Sequence, residues 1–88
     1  MMKANFPQFR KLINDKSYYR IDSISRITEI QRIGQRWTIY VVDAKILPER
    51  LMIQDILDEN SSQYQAISEQ EYQNFQTFCE ASLVRFSN

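Results

Sequence analysis

The sequence predicts one α+β domain, in which an antiparallel β-meander of three to four strands is followed by two helices packed on one face of the sheet. Two β-prone runs flank the pair Gly34-Gln35, which is typical of a tight hairpin. Helical patterns of apolar residues then begin near Pro48 and Ser68. Because strand-like segments come first and helical segments last, this order favours the α+β class.

A single domain over residues 1–88 is the expected organisation. The chain has 88 residues, of which 43% are hydrophobic and 25% are charged. This composition is typical of a globular protein and not of a disordered chain, and the length suffices for one hydrophobic core.

The first strands are predicted from aromatic and β-branched residues. Residues 17–21 favour a strand, and Asn14 and Asp15 before them are residues typical of turns. The preceding segment, residues 6–13, has two interpretations. Either residues 9–13 form the partner strand or a short helix begins at Pro7, and we favour the strand.

The pair Gly34-Gln35 sets the register of the next two strands. Glycine at the first central position of a two-residue loop supplies the positive φ of a type II′ turn. The residue pairs that follow from this loop are Ile33 with Arg36, Ile30 with Ile39, Thr28 with Val41, and Arg26 with Asp43.

Isoleucines at every third position complicate the first strand of this hairpin. They occur at positions 21, 24, 27, 30 and 33, which fits neither the strand period of two nor a sustained helical stripe. A bend or bulge between Asp22 and Arg26 reconciles the spacing with strands. A helix that begins at Ser23 is the alternative for residues 23–33.

Both faces of the hairpin contain apolar residues. The residues of the predicted core face are Ile30, Trp37, Ile39 and Val41. The residues of the other face are Ile27, Ile33, Tyr40 and Val42. Since two helices with one apolar stripe each are expected to cover one face, we predict that this second face is an interaction surface anchored by Tyr40.

Pro48 and Glu49 predict the start of the first helix. Proline suits the first helical turn, and a carboxylate there interacts favourably with the positive end of the helix dipole. We expect this helix over residues 48–59, with a buried stripe formed by Met52, Ile53, Ile56 and Leu57. Residues 64–67 form either an extended segment or an edge strand.

The second helix has the clearest local signal. Residues 68–71 match a capping box, in which the Ser68 hydroxyl accepts from the Glu71 amide and the Glu71 carboxylate accepts from the Ser68 amide. Ile67 and Tyr72 are spaced for a hydrophobic staple across this cap. The apolar spacing predicts a helix to about residue 85, with a stripe of Tyr72, Phe75, Cys79 and Phe86.

The residue types give little basis for catalysis or metal binding. The chain has no histidine, which is the usual general base and a common metal ligand, and its one glycine cannot form a glycine-rich phosphate loop. We interpret Asp55, Asp58 and Glu59 as a solvated acidic surface, because a calcium site needs six to eight oxygens from a looped backbone. We therefore expect a non-enzymatic protein without a cofactor or metal.

Cysteine usage and hydropathy bear on the compartment. Cys79 is the one cysteine, so no internal disulfide is expected, and its place in a helical pattern predicts a buried thiol. No apolar stretch resembles a signal peptide or reaches the roughly 18 residues of a membrane span. We expect a cytoplasmic protein with no membrane partner.

Charge is unevenly distributed along the chain. Residues 1–36 have a net charge of +5 and residues 37–88 have a net charge of −5. We expect a protein-interaction or regulatory module, in which complementary charge orients a protein partner or a second copy in a homodimer. The alternative is nucleic-acid binding by the basic β half, whose predicted phosphate contacts are Arg20, Arg26, Arg32 and Arg36.

Overall fold

A six-stranded sheet and two helices make up the part of the chain that the computed structural model describes, namely residues 5–34, 36–80 and 83–87. The elements in chain order are β1 (Gln8–Leu12), β2 (Ser17–Ser23), β3 (Arg26–Ile33), β4 (Arg36–Asp43), α1 (Leu47–Leu57), β5 (Tyr64–Ala66), α2 (Glu69–Cys79) and β6 (Leu83–Ser87). The strand order in the sheet is β5-β1-β2-β3-β4-β6. The predicted α+β class and four-stranded antiparallel meander are confirmed.

The open alternatives in the first half of the chain resolve in favour of strands. Residues 8–12 pair with β2 as a strand, so no helix begins at Pro7. Residues 26–33 form β3, so no helix begins at Ser23. The register of β2 and β3 shifts between Ile21 and Ser23, and this irregularity together with the turn at residues 24–25 accommodates the threefold isoleucine spacing.

The hairpin of β3 and β4 has the predicted register. All four predicted pairs are present, from Ile33 with Arg36 to Arg26 with Asp43. Gly34 has φ +63°, the left-handed conformation for which glycine was expected. Gln35 lies outside the described residues.

The two helices pack on opposite faces of the sheet, not on one face as expected. Ile53 and Ile56 of α1 pack in a core cluster with Tyr19 of β2. Tyr72 and Phe75 of α2 pack in a second cluster with Tyr18, the neighbouring residue of the same strand. Since successive strand residues point to opposite faces, the helices lie on opposite sides of the sheet.

The chain path explains why the helices separate. After β4, a short connection leads α1 onto the face that contains Ile27 and Val42. The chain then forms β5 at the far edge beside β1, and the Ile67 amide donates to the Phe9 carbonyl at 3.1 Å. From that edge α2 covers the other face. Both faces of the meander are apolar, so each gains stability from a helix.

Helix α1 begins one residue before its predicted start and ends two residues before its predicted end. The Glu49 carboxylate Oε1 accepts hydrogen bonds from the backbone amides of Lys45 at 2.9 Å and Ile46 at 3.3 Å. Ile53 and Ile56 are buried as predicted and Leu57 is partly buried, whereas Met52 is 40% exposed. The buried stripe of α1 therefore contains fewer residues than the apolar pattern predicted.

Helix α2 begins as predicted but ends earlier. The Ser68 hydroxyl accepts from the Glu71 amide at 3.0 Å, and Ile67 packs on the cluster that contains Tyr72. The prediction of a helix to residue 85 is wrong, because α2 ends at Cys79 and residues 83–87 form β6 parallel to β4. Without β6, β4 would be an open edge of the sheet. Pairing gives the backbone groups of both strands hydrogen-bond partners, and this gain outweighs the helical spacing of the apolar residues.

Candidate functional site

Helix α1 covers part of the predicted interaction face. Ile27 pairs with Val42 in register, and both lie in the core cluster beneath α1, where Ile27 has no exposed surface. Ile33 is about half exposed at the other end of the sheet, and Tyr40 is half-buried in register with Phe86 of β6. Ile27 and Val42 therefore belong to internal core, and α1 separates them from any partner.

A hydrogen-bonded network occupies the same sheet face beside α1. The Ser17 hydroxyl donates to Glu29 Oε2 at 2.9 Å, and Tyr19 lies directly opposite Glu29 in register. Burial raises the pKa of Tyr19 well above its ordinary value, and the Glu29 charge raises it further. Burial also raises the pKa of Tyr64, whose ring lies edge-on to that of Tyr19 at 5.7 Å. The phenols are thus neutral at pH 7 and act as hydrogen-bonding core residues.

The four arginines predicted to contact phosphate are spread over the sheet. By register, Arg20, Arg26 and Arg32 lie on the face that α2 covers, whereas Arg36 lies on the opposite face. Arg20 is paired with Asp22 at 2.8 Å, and Arg26 with Asp43 at 3.3 Å. Arg26 and Arg32 are six residues apart, roughly 20 Å along the strand. The structure therefore separates these residues into different local environments.

The aromatic residues of the basic half lie in the core. Phe9, Tyr18 and Tyr19 are buried, and the Tyr18 ring stacks on Phe75 with a centroid distance of 3.6 Å. Trp37 packs edge-on against the same Phe75 ring at 4.7 Å. These rings stack on the protein itself, so they present no open stacking platform to a nucleobase. Nucleic-acid binding stays a prediction.

Other candidate chemistry is limited within residues 5–34, 36–80 and 83–87. No group of three or more histidine, cysteine, aspartate or glutamate residues in these segments is arranged to hold a metal ion. Cys79 is buried, and this burial raises the pKa of its thiol. None of the described helices is long and apolar enough to cross a membrane.

Several exposed apolar side chains of the described residues lie at or beside the start of α1, where the sequence did not predict an interface. The surface that they form comprises five side chains that are 40% to 66% exposed, and we call it the α1 patch: Ile24, Ile46, Leu47, Leu51 and Met52. The turn that contains Ile24 lies beside the start of α1, because the Ala44 amide donates to the Ser25 carbonyl at 2.7 Å. Apolar residues at positions 46, 47 and 51 lie outside the predicted buried stripe, and they were the available sequence signal.

Comparison of this chain with protein-family models, with curated proteins and with solved structures finds no match.

Charge changes sign along α1. Lys45 and Arg50 flank the α1 patch, and no carboxylate of the described residues lies within 4.0 Å of either cation. The acidic residues Asp55, Asp58 and Glu59 follow at the C-terminal end and are exposed. The Glu49 carboxylate is already engaged by backbone amides. The outer side of α1 is thus apolar and basic at one end and acidic at the other.

Proposed function

We propose that the protein is a small non-enzymatic interaction module that acts as a homodimer, with the α1 helices of two copies in contact. The observation that supports this proposal is the α1 patch. The cytoplasm is the compartment in which we propose that it acts, because the sequence has one cysteine and therefore no internal disulfide is expected.

The α1 patch brings several exposed apolar side chains to one end of the molecule. Single exposed apolar residues are normal on protein surfaces, but monomers rarely expose large contiguous apolar areas. Leu47 and Leu51 are four residues apart on one side of α1, while Ile53 and Ile56 on the opposite side are buried in the core. Helix α1 therefore has one apolar side in the core and a second in solvent, which favours a partner for the second side.

A second copy of this chain fits the charge pattern of α1. If two α1 helices pack antiparallel about a twofold axis near Leu51, the apolar residues of both copies meet at the axis. Lys45, just before each helix, then lies beside the acidic end of the other helix, with Asp55 and Glu59, while Arg50 lies next to the axis. The helix dipoles are also antiparallel in this arrangement, which is favourable.

The first test introduces a charge at the centre of the α1 patch. We expect wild-type protein to have the molar mass of a dimer by light scattering, and Leu51→Glu to have that of a monomer with unchanged circular dichroism. Ile13→Glu is the matched control, because Ile13 is also an exposed apolar residue but lies at the other end of the strands, so the substitution should leave the dimer intact. A wild-type mass that stays monomeric at all concentrations contradicts the proposal.

A charge-reversal pair separates self-association from binding to another protein. The variant Asp55→Lys/Glu59→Lys has two basic helix ends, and the variant Lys45→Glu/Arg50→Glu has two acidic ends. Each alone should dimerise more weakly than wild type at low salt, whereas an equimolar mixture should form a one-to-one heterodimer. Equal dimerisation of both variants and their mixture would show that α1 does not meet α1.

A further inference from the structure

A second candidate site lies at the opposite end of the sheet from the α1 patch, between β2 and β3. The amide of Arg32 donates to the Lys16 carbonyl at 2.8 Å, and the adjacent pair in the ladder is Ser17 with Gln31. Lys16 and Arg32 are therefore cross-strand neighbours on one face of the sheet. Both line an open cleft of about 350 Å³ together with Gly34.

Within the described part of the chain, these two cations lack an acidic partner, in contrast to three of the other basic residues of the sheet. Lys11, Arg20 and Arg26 each have a carboxylate within 4.0 Å. Among the described residues, no carboxylate comes that close to Lys16 or Arg32. The acidic partners of the sheet are thus used elsewhere, and the cleft is left with positive charge alone.

The hairpin holds the Arg32 guanidinium in place. Its Nε donates to the Gly34 carbonyl at 3.0 Å, which fixes the plane of the group beside the loop. The two Nη atoms have no acceptor among the described residues. An arginine oriented in this way can donate two parallel hydrogen bonds to an oxyanion without a large loss of side-chain freedom.

Like charges directly opposite each other destabilise a sheet unless a counter-charge lies between them. We propose that the cleft between Lys16 and Arg32 is an anion site that binds a phosphate group, either as inorganic phosphate or as the phosphomonoester of a small molecule. Arginine provides the bidentate contact and lysine the point charge, the combination found at many phosphate sites. The cleft volume lies at the lower end of the roughly 300–1,000 Å³ typical of small-ligand pockets.

A small phosphorylated ligand fits the cleft better than a nucleic-acid strand. The arginines farther along the same face are paired with carboxylates, and Tyr18 and Trp37 beside the cleft pack on Phe75. A bound strand needs a continuous basic groove with free aromatic rings. This site is independent of α1, so its test is separate from that of the dimer.

The test is a titration of isotope-labelled wild-type protein with inorganic phosphate at low salt, followed by amide chemical shifts. We expect saturable shifts centred on Lys16, Arg32 and Gly34, with chloride at the same ionic strength giving none. Lys16→Gln and Arg32→Gln should each weaken phosphate binding about tenfold or more. Arg20→Gln is the matched control, because it removes an exposed arginine from the same sheet face and should leave phosphate binding unchanged.

The melting temperature provides a second measurement of phosphate binding. If Lys16 contributed only to folding, its substitution would not change the effect of phosphate on the melting temperature. Phosphate should raise the melting temperature of wild type but not of Lys16→Gln. Without phosphate, Lys16→Gln should be at least as stable as wild type, because it removes like-charge repulsion. Shifts that do not saturate, or that persist in both variants, overturn the proposal. Tight binding of a thymidine oligonucleotide with no effect of phosphate also overturns it and favours the nucleic-acid alternative.

Discussion

Two isoleucines of this chain have opposite environments. Ile27 lies between β2 and β4 beneath α1 with no exposed surface, whereas Ile13 is 64% exposed in the turn after β1. We expect Ile27→Ala to lower the free energy of unfolding by roughly 2–5 kcal/mol, because it removes buried methyl groups and leaves a cavity. Ile13→Ala should change it by less than about 0.5 kcal/mol. Urea denaturation measures both, and equal effects would contradict the position of α1 over Ile27.

Tyr72 links stability to alkaline pH. Burial raises its pKa to about 12 from an ordinary value of 10.0, and its ring packs on Phe9 at 5.2 Å. When the pKa of a group is higher in the folded than in the unfolded protein, its contribution to the free energy of unfolding is complete at pH values below the unfolded pKa. That contribution is lost as the pH rises through the folded pKa. Wild-type stability should therefore fall between about pH 10 and pH 12, with roughly 2–3 kcal/mol due to Tyr72.

The variant Tyr72→Phe isolates this contribution. Its free energy of unfolding should fall less steeply over the same pH interval, although burial also raises the pKa of Tyr18, Tyr19 and Tyr64. Between pH 7 and pH 9 the difference between variant and wild type should be constant. Parallel curves for the two proteins above pH 10 would show that the Tyr72 phenol is not protected by folding.

At the scale of single elements, α2 depends on its first turn. The hydroxyl of Ser68 satisfies the Glu71 amide, one of the donors that lack a helical partner. We expect Ser68→Ala to lower the free energy of unfolding by about 1 kcal/mol. Ser62→Ala is the control, since Ser62 is exposed before β5 and caps no helix. An unchanged denaturation midpoint for Ser68→Ala would contradict the cap.

The capping box is only partly realised as the sequence suggests. The Ser68 half is present, but Glu71 Oε2 lies 3.9 Å from Lys11 Nζ of β1. Lys11 is also 2.8 Å from Asp15, whose hydrogen bond is the main cause of its raised pKa. The position of β1 under α2 thus gives the Glu71 carboxylate a partner other than the Ser68 amide, which local sequence could not reveal.

For the molecule as a whole, each helix covers part of one sheet face. Helix α1 lies over Ile21, Ile27 and Val42, and α2 lies over Tyr18 and Ile39 on the other side. The two ends of the sheet differ in surface chemistry. The apolar α1 patch lies at one end, and the basic cleft of Lys16 and Arg32 lies at the other. The proposed protein contact and the proposed anion contact are therefore spatially separate, which makes their tests independent.

The sequence by itself determined the features that depend on neighbouring residues. Gly34 specified the hairpin loop and through it the complete register of β3 and β4, because only glycine adopts positive φ at little cost. Ser68 specified the start of α2, and the alternation of side chains in β3 and β4 showed that both faces were apolar. This alternation correctly predicted that Ile27 and Val42 lie on the same face of the sheet. It did not predict that a helix covers them.

Only the tertiary structure decided which helix covers which face, where α2 ends and which apolar residues stay exposed. Helical spacing continues past Cys79, yet the open edge of β4 offers residues 83–87 a ladder of backbone partners. Leu51 and Ile53 are nearly identical in hydrophobicity, and their opposite exposure follows from the path of the chain from β4 into α1. Such outcomes depend on contacts between distant segments, which local pattern and propensity do not encode.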